Sequence, residues 1–243
     1  MSRFSIARNG PIQSQGLVAP CDTYGVRDHT ACASLHGDEQ RRLASIMTTI
    51  EVGPQSAIFN ETDPADHVFN LTAGSVKIFK LLSDGRREIT GFLFPGDFLG
   101  LTHNEAYAYS AETLTTSRLC RFPRHKLEAL LDELPTLERQ LLGMASHELA
   151  AAQDQMMLLG RKSARERVAS FLLLMSATAA RRGNVENTVS LPMNRGDIAD
   201  YLGLTVETIS RTLGQLKTKG LIQMPSEKQI LLAKRDALQE ISG

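Results

Sequence analysis

The sequence lacks the features that mark secreted and membrane proteins. Its three cysteines among 243 residues are too few, and an odd number, for a disulfide framework. No apolar run approaches the roughly 18 residues needed to cross a bilayer. The first twenty residues also lack the apolar block of a secretion signal. We therefore expect a soluble, cytoplasmic protein with no membrane partner.

Residue patterns typical of enzymes are also missing. The chain shows no Ser-His-Asp order, no paired carboxylates and no phosphate-binding loop. Its six histidines are scattered, without a metal-ligand pair on one helix face. We therefore predict that the protein is not an enzyme.

Length and charge indicate two domains of different character. A chain of 243 residues with 42% hydrophobic residues can form two ordinary domains. Its 27 basic and 27 acidic residues cancel, but residues 161–243 hold 13 Lys or Arg against 8 Asp or Glu. Residues 1–160 carry the compensating acidic excess. A positive C-terminal part is typical of a module that binds phosphates.

The stretch 193–220 has the spacing of a helix-turn-helix. Asn194 can cap a first helix, and Asp197 lies three residues later, where its carboxylate can reach back to the cap. Gly203 interrupts the apolar pattern where two packed helices need a tight turn. Thr205 can then cap a second helix that runs to about residue 219.

The second helix has two different faces. One is a predicted buried stripe with helical spacing, formed by Val206, Ile209, Leu213 and Leu216. The opposite face carries Glu207, Ser210 and Arg211, with Gly214 beside them. Arg and Glu can read guanine and cytosine edges in a major groove, and Ser can serve base or phosphate. An ordinary two-helix corner with a merely solvated outer face would have the same spacing.

A predicted hairpin follows the helix-turn-helix. Residues 221–224 and 229–232 are short apolar segments on either side of the turn-forming residues 225–228. A hairpin in this place has the position of a wing, which favours the DNA-binding interpretation.

These residues resemble the DNA-binding domain of the Crp/Fnr family of bacterial transcription regulators. Within that family the similarity is to the fumarate and nitrate reduction regulator (FNR) and its FixK-like relatives. It rests on Arg195-Gly-Asp-Ile, on Tyr201-Leu-Gly-Leu-Thr-Val-Glu-Thr-Ile-Ser-Arg and on Leu213-Gly. The resemblance implies that Glu207, Ser210 and Arg211 read an inverted repeat of TTGAT type. It also implies a transcription activator, with double-stranded DNA and RNA polymerase as partners.

From about residue 50 to 123 the pattern changes to short strands separated by turns. Segments 68–71, 76–81, 88–94 and 117–122 alternate or run apolar, and Asp84-Gly85 is a hairpin signal. Such strands imply a small barrel, which the resemblance identifies as a β-roll sensor of the cyclic-nucleotide-binding type. The expected fold class is α+β, with this β-roll, a long dimerisation helix and a C-terminal winged helix-turn-helix.

The β-roll lacks the residues that hold a cyclic nucleotide in relatives. Those relatives have a Gly-Glu pair after the Gly-Asp-Phe turn and an Arg-Ser pair further on. This chain has Gly100-Leu101 at the first place and Tyr109-Ser110 at the second. Because a phosphate would lack its charged partner, we expect no cyclic nucleotide.

Segment 127–160 predicts a long helix that pairs with its twin in a homodimer. Its 3-4 spacing assigns dimerisation to Leu137, Leu141, Met144, Ala151 and Leu158. A helix packed only on its own barrel is the alternative. A dimer is favoured because a helix-turn-helix usually binds two half-sites. In FNR an acidic residue here, matched by Asp154, opposes pairing until the sensor is switched on.

The segments divide the chain into four predicted parts. They are a flexible N-terminal arm with cysteines at 1–36, a β-roll sensor domain at 37–126, the dimerisation helix at 127–160, and the winged helix-turn-helix domain at 161–243. A short helix is also expected at 38–47.

The resemblance implies that the cysteines sense the signal. FNR-type sensors hold an oxygen-labile 4Fe–4S cluster with three N-terminal cysteines and one in the barrel. Cys120 matches the barrel ligand, and Cys21 and Cys32 lie in the N-terminal ligand segment, where Tyr24 replaces the middle cysteine. Either a nearby side chain completes the set, or three cysteines hold a weaker cluster, or none is bound. The nearby candidates are Asp22, Asp28 and His29.

Three signals therefore stay open. The first is oxygen or redox state, sensed through an iron–sulfur cluster. The second is the amount of the protein or the oxidation of its thiols, as in a FixK-like regulator with no cofactor. The third is a small ligand bound by the sensor domain.

Overall fold

The structure, a computed structural model, describes residues 13–14, 35–183 and 187–243. The chain forms two compact units. The N-terminal unit comprises Met1–Phe79 and Phe92–Gly143, and the C-terminal unit comprises Lys80–Gly91 and Met144–Gly243. In the described part of the chain, none of the helices combines the length and the apolar content of a membrane span.

The first part of the chain is built mainly from antiparallel strands. In order, its elements are β1 (Gln13–Ser14), α1 (Asp38–Ser45), β2 (Thr48–Val52), β3 (Ala57–Phe59), β4 (His67–Ala73), β5 (Val76–Leu81), β6 (Arg87–Leu93), β7 (Phe98–Leu99), β8 (Ser110–Thr113), β9 (Ser117–Pro123) and α2 (Arg124–Glu133). They form a five-stranded sheet in the order β1-β2-β9-β4-β7 and a four-stranded sheet in the order β3-β8-β5-β6.

The inward faces of these strands form the core of the N-terminal unit. Their apolar side chains pack together, among them Ile50 of β2, Phe69 and Leu71 of β4, and Leu119 of β9. Phe59 stacks on Tyr107 with 3.8 Å between ring centroids. The predicted strands coincide with β4, β5, β6 and β9, so the β-roll prediction is confirmed.

The predicted single helix at 127–160 is wrong in one respect, because the structure has two helices here. α2 ends at Glu133 and α3 spans Pro135–Arg161, with Leu134 between them at φ −122° and ψ 79°. The ring of a proline disfavours the helical conformation of the preceding residue. Pro135 therefore ends α2 and begins α3.

The C-terminal unit contains the helix-turn-helix. Its further elements are α4 (Ala164–Arg181), β10 (Thr188–Ser190), α5 (Arg195–Leu202), α6 (Val206–Thr218), β11 (Ile222–Ser226), β12 (Gln229–Leu232) and α7 (Arg235–Ser242). The sheet has the order β10-β12-β11. The β11–β12 hairpin was predicted, although its turn is shorter because β11 continues to Ser226. The sequence did not predict β10 or α7.

Candidate nucleic-acid interface

The first helix of the helix-turn-helix, α5, begins with the predicted capping box. The Asn194 Oδ1 atom accepts a hydrogen bond from the Asp197 N–H at 2.9 Å, and the Asp197 carboxylate accepts from the Asn194 N–H at 3.2 Å. The pair satisfies amides that have no partner inside the helix. α5 ends at Gly203, whose φ of +60° lies in the left-handed region that favours glycine.

The second helix, α6, is fixed by its cap and by its inner face. The Thr205 hydroxyl accepts a hydrogen bond from the Thr208 N–H at 3.2 Å. Ile209, Leu213 and Leu216 are buried, as predicted. These contacts hold the helix in one orientation against the domain.

Val206 was predicted to join the buried stripe, and this prediction is wrong. Its side chain is 48% exposed, whereas Thr212 is buried on the inner face. At about 100° per residue, Val206 lies at the edge of the buried arc. It is also the first residue of α6, and side chains of a helix lean toward its N-terminus, beyond the packed turns.

The outer face of α6 presents the predicted base-reading residues together. Glu207, Ser210 and Arg211 are all exposed, and so is Gly214 one turn further on. A Cβ atom added at Gly214 would meet nothing within 4 Å, so this face is open. We call Glu207, Ser210 and Arg211 the polar strip. Its spacing of i, i+3 and i+4 places the three side chains side by side.

Cationic side chains lie on the helix-turn-helix and on the hairpin that follows it. Lys217 and Lys219 lie at the end of α6, and Lys228 lies in the turn of the β11–β12 hairpin. Arg195, the first residue of α5, is half-buried, and its Nη1 atom has no hydrogen-bond partner among the described residues. Burial lowers the pKa of Arg195, and Glu227 opposes this shift. These groups carry the positive charge that phosphates require.

The sequence did not predict an ion-pair cluster that supports α5. The Arg87 guanidinium, in the Lys80–Gly91 segment of the C-terminal unit, lies 3.1 Å from the Asp197 carboxylate and 2.9 Å from the Asp200 carboxylate. Asp197 is 2% exposed, so it is both a capping residue and a buried charge. Burial raises the pKa of neighbouring Glu88, with Asp200 adding to the shift. Arg87 and Asp197 lie 110 residues apart in the sequence, so a local sequence pattern does not reveal their contact.

Comparison with known proteins identifies the family. Residues 166–241 match the Crp-like helix-turn-helix domain, and residues 49–133 match the cyclic nucleotide-binding domain. The chain is 41% identical over 221 residues to the transcriptional activatory protein AadR of Rhodopseudomonas palustris, covering 90% of this chain and 92% of that protein. The chain belongs to the Crp/Fnr family of transcription regulators.

Two further similar proteins are FixK regulators. The chain is 38% identical over 202 residues to the nitrogen fixation regulation protein FixK of Bradyrhizobium diazoefficiens, covering 83% of this chain and 85% of that protein. The structure of FixK2 from Bradyrhizobium japonicum matches with a TM-score of 0.76 and 40% identity, covering 82% of this chain and 98% of FixK2. The fold prediction and the predicted family are confirmed. The regulator's relatives regulate transcription, and none of these findings indicates catalysis.

The residues assigned to dimerisation are divided between the interior and the surface. Leu137, Leu141 and Leu158 are 0%, 6% and 8% exposed, so they are already covered within the regulator's own chain. Met144 is half-buried, and Ala151 and Asp154 are exposed. The first three side chains therefore have little surface left for a second subunit.

A different row of α3 presents apolar side chains to the outside. Leu142, Leu149 and Met156 are 66%, 60% and 64% exposed and lie seven residues apart. Ala145 and Ala152 lie between them and are exposed as well. We call these five residues the apolar seam. They occupy the a and d positions of a heptad repeat.

The two places where the resemblance implies nucleotide-binding residues in relatives make internal hydrogen bonds here. The Tyr109 hydroxyl accepts a hydrogen bond from the Gly100 N–H at 2.9 Å, and the Ser110 hydroxyl accepts from the Glu61 N–H at 2.9 Å. Tyr109 thus engages a backbone donor and brings no positive charge. This arrangement supports the expectation of no cyclic nucleotide, which stays a prediction.

The three candidate cluster ligands are not brought together by the described residues. Cys120 is buried in the middle of β9, opposite Thr49 of β2 and Asn70 of β4. Cys21 and Cys32, like Tyr24 and the other nearby candidates, lie outside the described residues. Within 13–14, 35–183 and 187–243, no group of three His, Cys, Asp or Glu could hold a metal ion. The described part thus supplies one buried thiol and does not by itself form a cluster site.

Proposed function

We propose that this regulator binds a TTGAT-type inverted repeat as a homodimer and activates transcription in response to oxygen or redox state, with RNA polymerase as its partner. The polar strip is the observation that carries the DNA-binding part. Its three side chains share one exposed face of a helix that is capped at its start and packed on its opposite side.

The chemistry of the polar strip matches base edges in a major groove. Arg211 can donate two hydrogen bonds to the O6 and N7 atoms of guanine, and Glu207 can accept from the N4 amine of cytosine. Ser210 suits either a base or a phosphate. The exposed Val206 at the start of α6 adds an apolar surface for a thymine methyl group. The cations on α6 and in the hairpin turn fit the phosphates on either side.

The apolar seam supports pairing of two chains through α3. Every residue from 145 to 154 is exposed, so almost three turns of α3 present their surface to the outside. A helical stretch of about ten residues is marginal in water without packing partners. Exposed leucines and methionines in one row are typical of a protein interface. Alanines at alternate seam positions let two such helices approach closely.

Asp154 takes a different role in this arrangement from the one that the resemblance implies. With Leu149 and Met156 at a positions, Asp154 falls at the f position, which points away from the partner helix. Its carboxylate would then not face its symmetry mate. The seam itself contains no charged residue, so we propose that pairing needs no signal to overcome a repulsion.

Replacing Arg211 with Ala tests the DNA-binding proposal. We expect a loss of about 1–3 kcal/mol on the TTGAT repeat, with relaxed preference at one base pair, and little change on random duplex DNA. Lys217→Ala is the matched control, because loss of a phosphate contact weakens binding to all sequences alike. Fluorescence anisotropy at one fixed salt concentration measures both. An equal loss on repeat and random DNA for Arg211→Ala would contradict the assignment.

The proposed response to oxygen or redox state rests on the resemblance to FNR-type sensors at Cys120. A cofactor-free, FixK-like regulator is the second candidate. It is favoured by Tyr24 at a ligand position and by the burial of Cys120, since a buried thiol is inert until the surrounding strands open. In that case the amount of protein, or oxidation of the other thiols at Cys21 and Cys32, would carry the signal.

Iron and acid-labile sulfide per chain distinguish the two candidates. They are measured on protein purified without oxygen and again after exposure to air. About four of each, lost in air, would support a cluster-based sensor. The variant Cys120→Ser should then hold less iron. Absence of both from the anaerobic sample, with full DNA binding in air, would support the cofactor-free regulator, and a ligand-dependent rise in Tm would indicate a small-ligand sensor.

A further inference from the structure

Arg167 of α4 joins the ends of two other helices. Its Nη2 donates to the Leu159 carbonyl at 2.8 Å and its Nε to the Lys162 carbonyl at 2.9 Å, both at the end of α3. Its Nη1 donates to the Leu202 carbonyl, the last residue of α5, at 2.8 Å, with the Gly203 carbonyl 3.5 Å away. One guanidinium thus bonds the C-terminal ends of α3 and α5.

The physical basis is the shortage of partners at helix ends. The last carbonyls of a helix have no intrahelical donor and carry the negative end of the helix dipole. Where two such ends meet, a positive group with several donors in one plane satisfies both. Arginine has five N–H donors in a rigid fork, whereas lysine has a single compact ammonium group.

Other contacts hold the same turn close to α3. The Gln155 Nε2 atom of α3 donates to the Tyr201 carbonyl at 2.6 Å. A Cβ atom added at Gly203 would lie 3.3 Å from the Arg167 Nη1 atom and 3.4 Å from the Leu159 Cδ2 atom. The turn between α5 and α6 is therefore packed directly on Arg167 and on the end of α3.

We propose that Arg167 is the positioning residue that fixes the helix-turn-helix relative to α3, and thereby sets the spacing of the DNA half-sites. The inference rests on the proposed binding of DNA as an α3-paired dimer. In such a dimer, the paired α3 helices are the fixed reference. α6 begins at Val206, three residues after Gly203 of the turn that Arg167 contacts. A change in the angle at this joint shifts one recognition helix relative to the other.

Half-site spacing and base reading should depend on different residues. Among the described residues, the side-chain hydrogen bonds of Arg167 go to backbone carbonyls before α6 and not to the polar strip. Its loss should leave the preferred half-site unchanged, because Glu207, Ser210 and Arg211 stay on α6. Its loss should widen the range of distances at which two half-sites are bound, because residues 162–163 between α3 and α4 would be held less tightly.

Selection from a randomised duplex pool tests the inference with the full chain. The variants are Arg167→Gln and Arg167→Lys, with Gln155→Ala as a milder change at the same turn. Arg181→Gln is the matched control, since it removes the same charge from an exposed site at the far end of α4. Circular dichroism and sedimentation confirm that each variant is folded and dimeric before the selection.

We expect wild type and Arg181→Gln to select one half-site at one spacing. Changing that spacing by one base pair should weaken wild-type binding by about tenfold or more, because the half-sites move out of register around the duplex. For Arg167→Gln, changing the spacing by one base pair should lower the affinity by about threefold or less, and the selected half-site should be unchanged. Arg167→Lys should fall between them. If Arg167→Gln does not fold, a broadened spacing in Arg167→Lys and Gln155→Ala carries the test.

Two results would overturn the inference. One is selection of the same single spacing by all folded variants. The other is a variant that loses its base preference while it keeps the spacing, which would assign Arg167 to support of the polar strip. If wild type selects no inverted repeat, the proposed dimeric binding fails first and the inference with it.

Discussion

α6 and α3 are both amphipathic helices, but they present opposite chemistry to the outside. α6 buries Ile209, Leu213 and Leu216 and exposes the polar strip. α3 buries apolar residues near its two ends and exposes the apolar seam. The partners that we propose follow from the exposed face rather than from the apolar content: base edges and phosphates for α6, and a second copy of the helix for α3.

The two helices also differ in how they are held. α6 has a side-chain cap, a preceding turn and a covered inner face within its own unit. α3 is 27 residues long, and the residues of its middle part are exposed. We therefore expect substitutions under the helix-turn-helix to change stability, and substitutions in the seam of α3 to change assembly.

The largest expected effect is at the seam. Leu149→Asp would place two carboxylates opposite each other across a symmetric, desolvated contact. We expect a monomer in sedimentation experiments and a loss of operator affinity of about 100-fold or more, since the second half-site no longer adds avidity. His147→Asp, at the outward f position, should remain dimeric. A dimeric Leu149→Asp protein would show that α3 does not pair through this row.

Next in size is removal of the charge beneath the helix-turn-helix. Arg87→Ala leaves the buried Asp197 carboxylate without its cation, which we expect to reduce the stability of α5 by about 2 kcal/mol. Hydrogen exchange of the α5 amides measures the loss locally. Arg86→Ala is the matched control, because Arg86 is exposed and pairs with Asp84 in its own turn. Equal exchange in the two variants would contradict the supporting role of Arg87.

An alkaline experiment isolates one buried side chain of α5. Burial raises the pKa of Tyr201 to about 12, whereas an unfolded tyrosine ionises near about 10. The free energy of unfolding is therefore unaffected by this group below pH of about 10 and falls by about 3 kcal/mol as the pH rises to about 12. Tyr201→Phe should remove this part of the alkaline fall in Tm. An unchanged alkaline fall in Tm would show that Tyr201 ionises without unfolding.

The smallest expected effect is at the helix caps. Asn194→Ala should destabilise α5 by about 1 kcal/mol, because the Asp197 N–H loses its acceptor. Ser163→Ala, at the start of α4, should cost less, since its hydrogen bond to the Glu166 N–H is longer at 3.4 Å. Hydrogen exchange in the first turn of each helix compares the two. A larger increase in hydrogen exchange for Ser163→Ala than for Asn194→Ala would contradict the expected order of the two effects.

Most of the helix-turn-helix could be predicted because its signals are local. The Asn194–Asp197 box, the glycine turn and the Thr205 cap each depend on neighbours a few residues away. The short strand β10 escaped prediction because its three residues gain their structure by pairing with β12. α7 was not predicted either, and its start has no side-chain cap to mark it.

The sequence by itself determined the family, the two-domain order and the composition of the polar strip. Only the tertiary structure decided which apolar row of α3 stays exposed, that Val206 lies outside the buried stripe, and that Arg87 and Arg167 support the helix-turn-helix. The reason is physical. Periodicity predicts that a helix has an apolar face, but only packing decides which apolar side chains are covered and which distant charges and carbonyls meet.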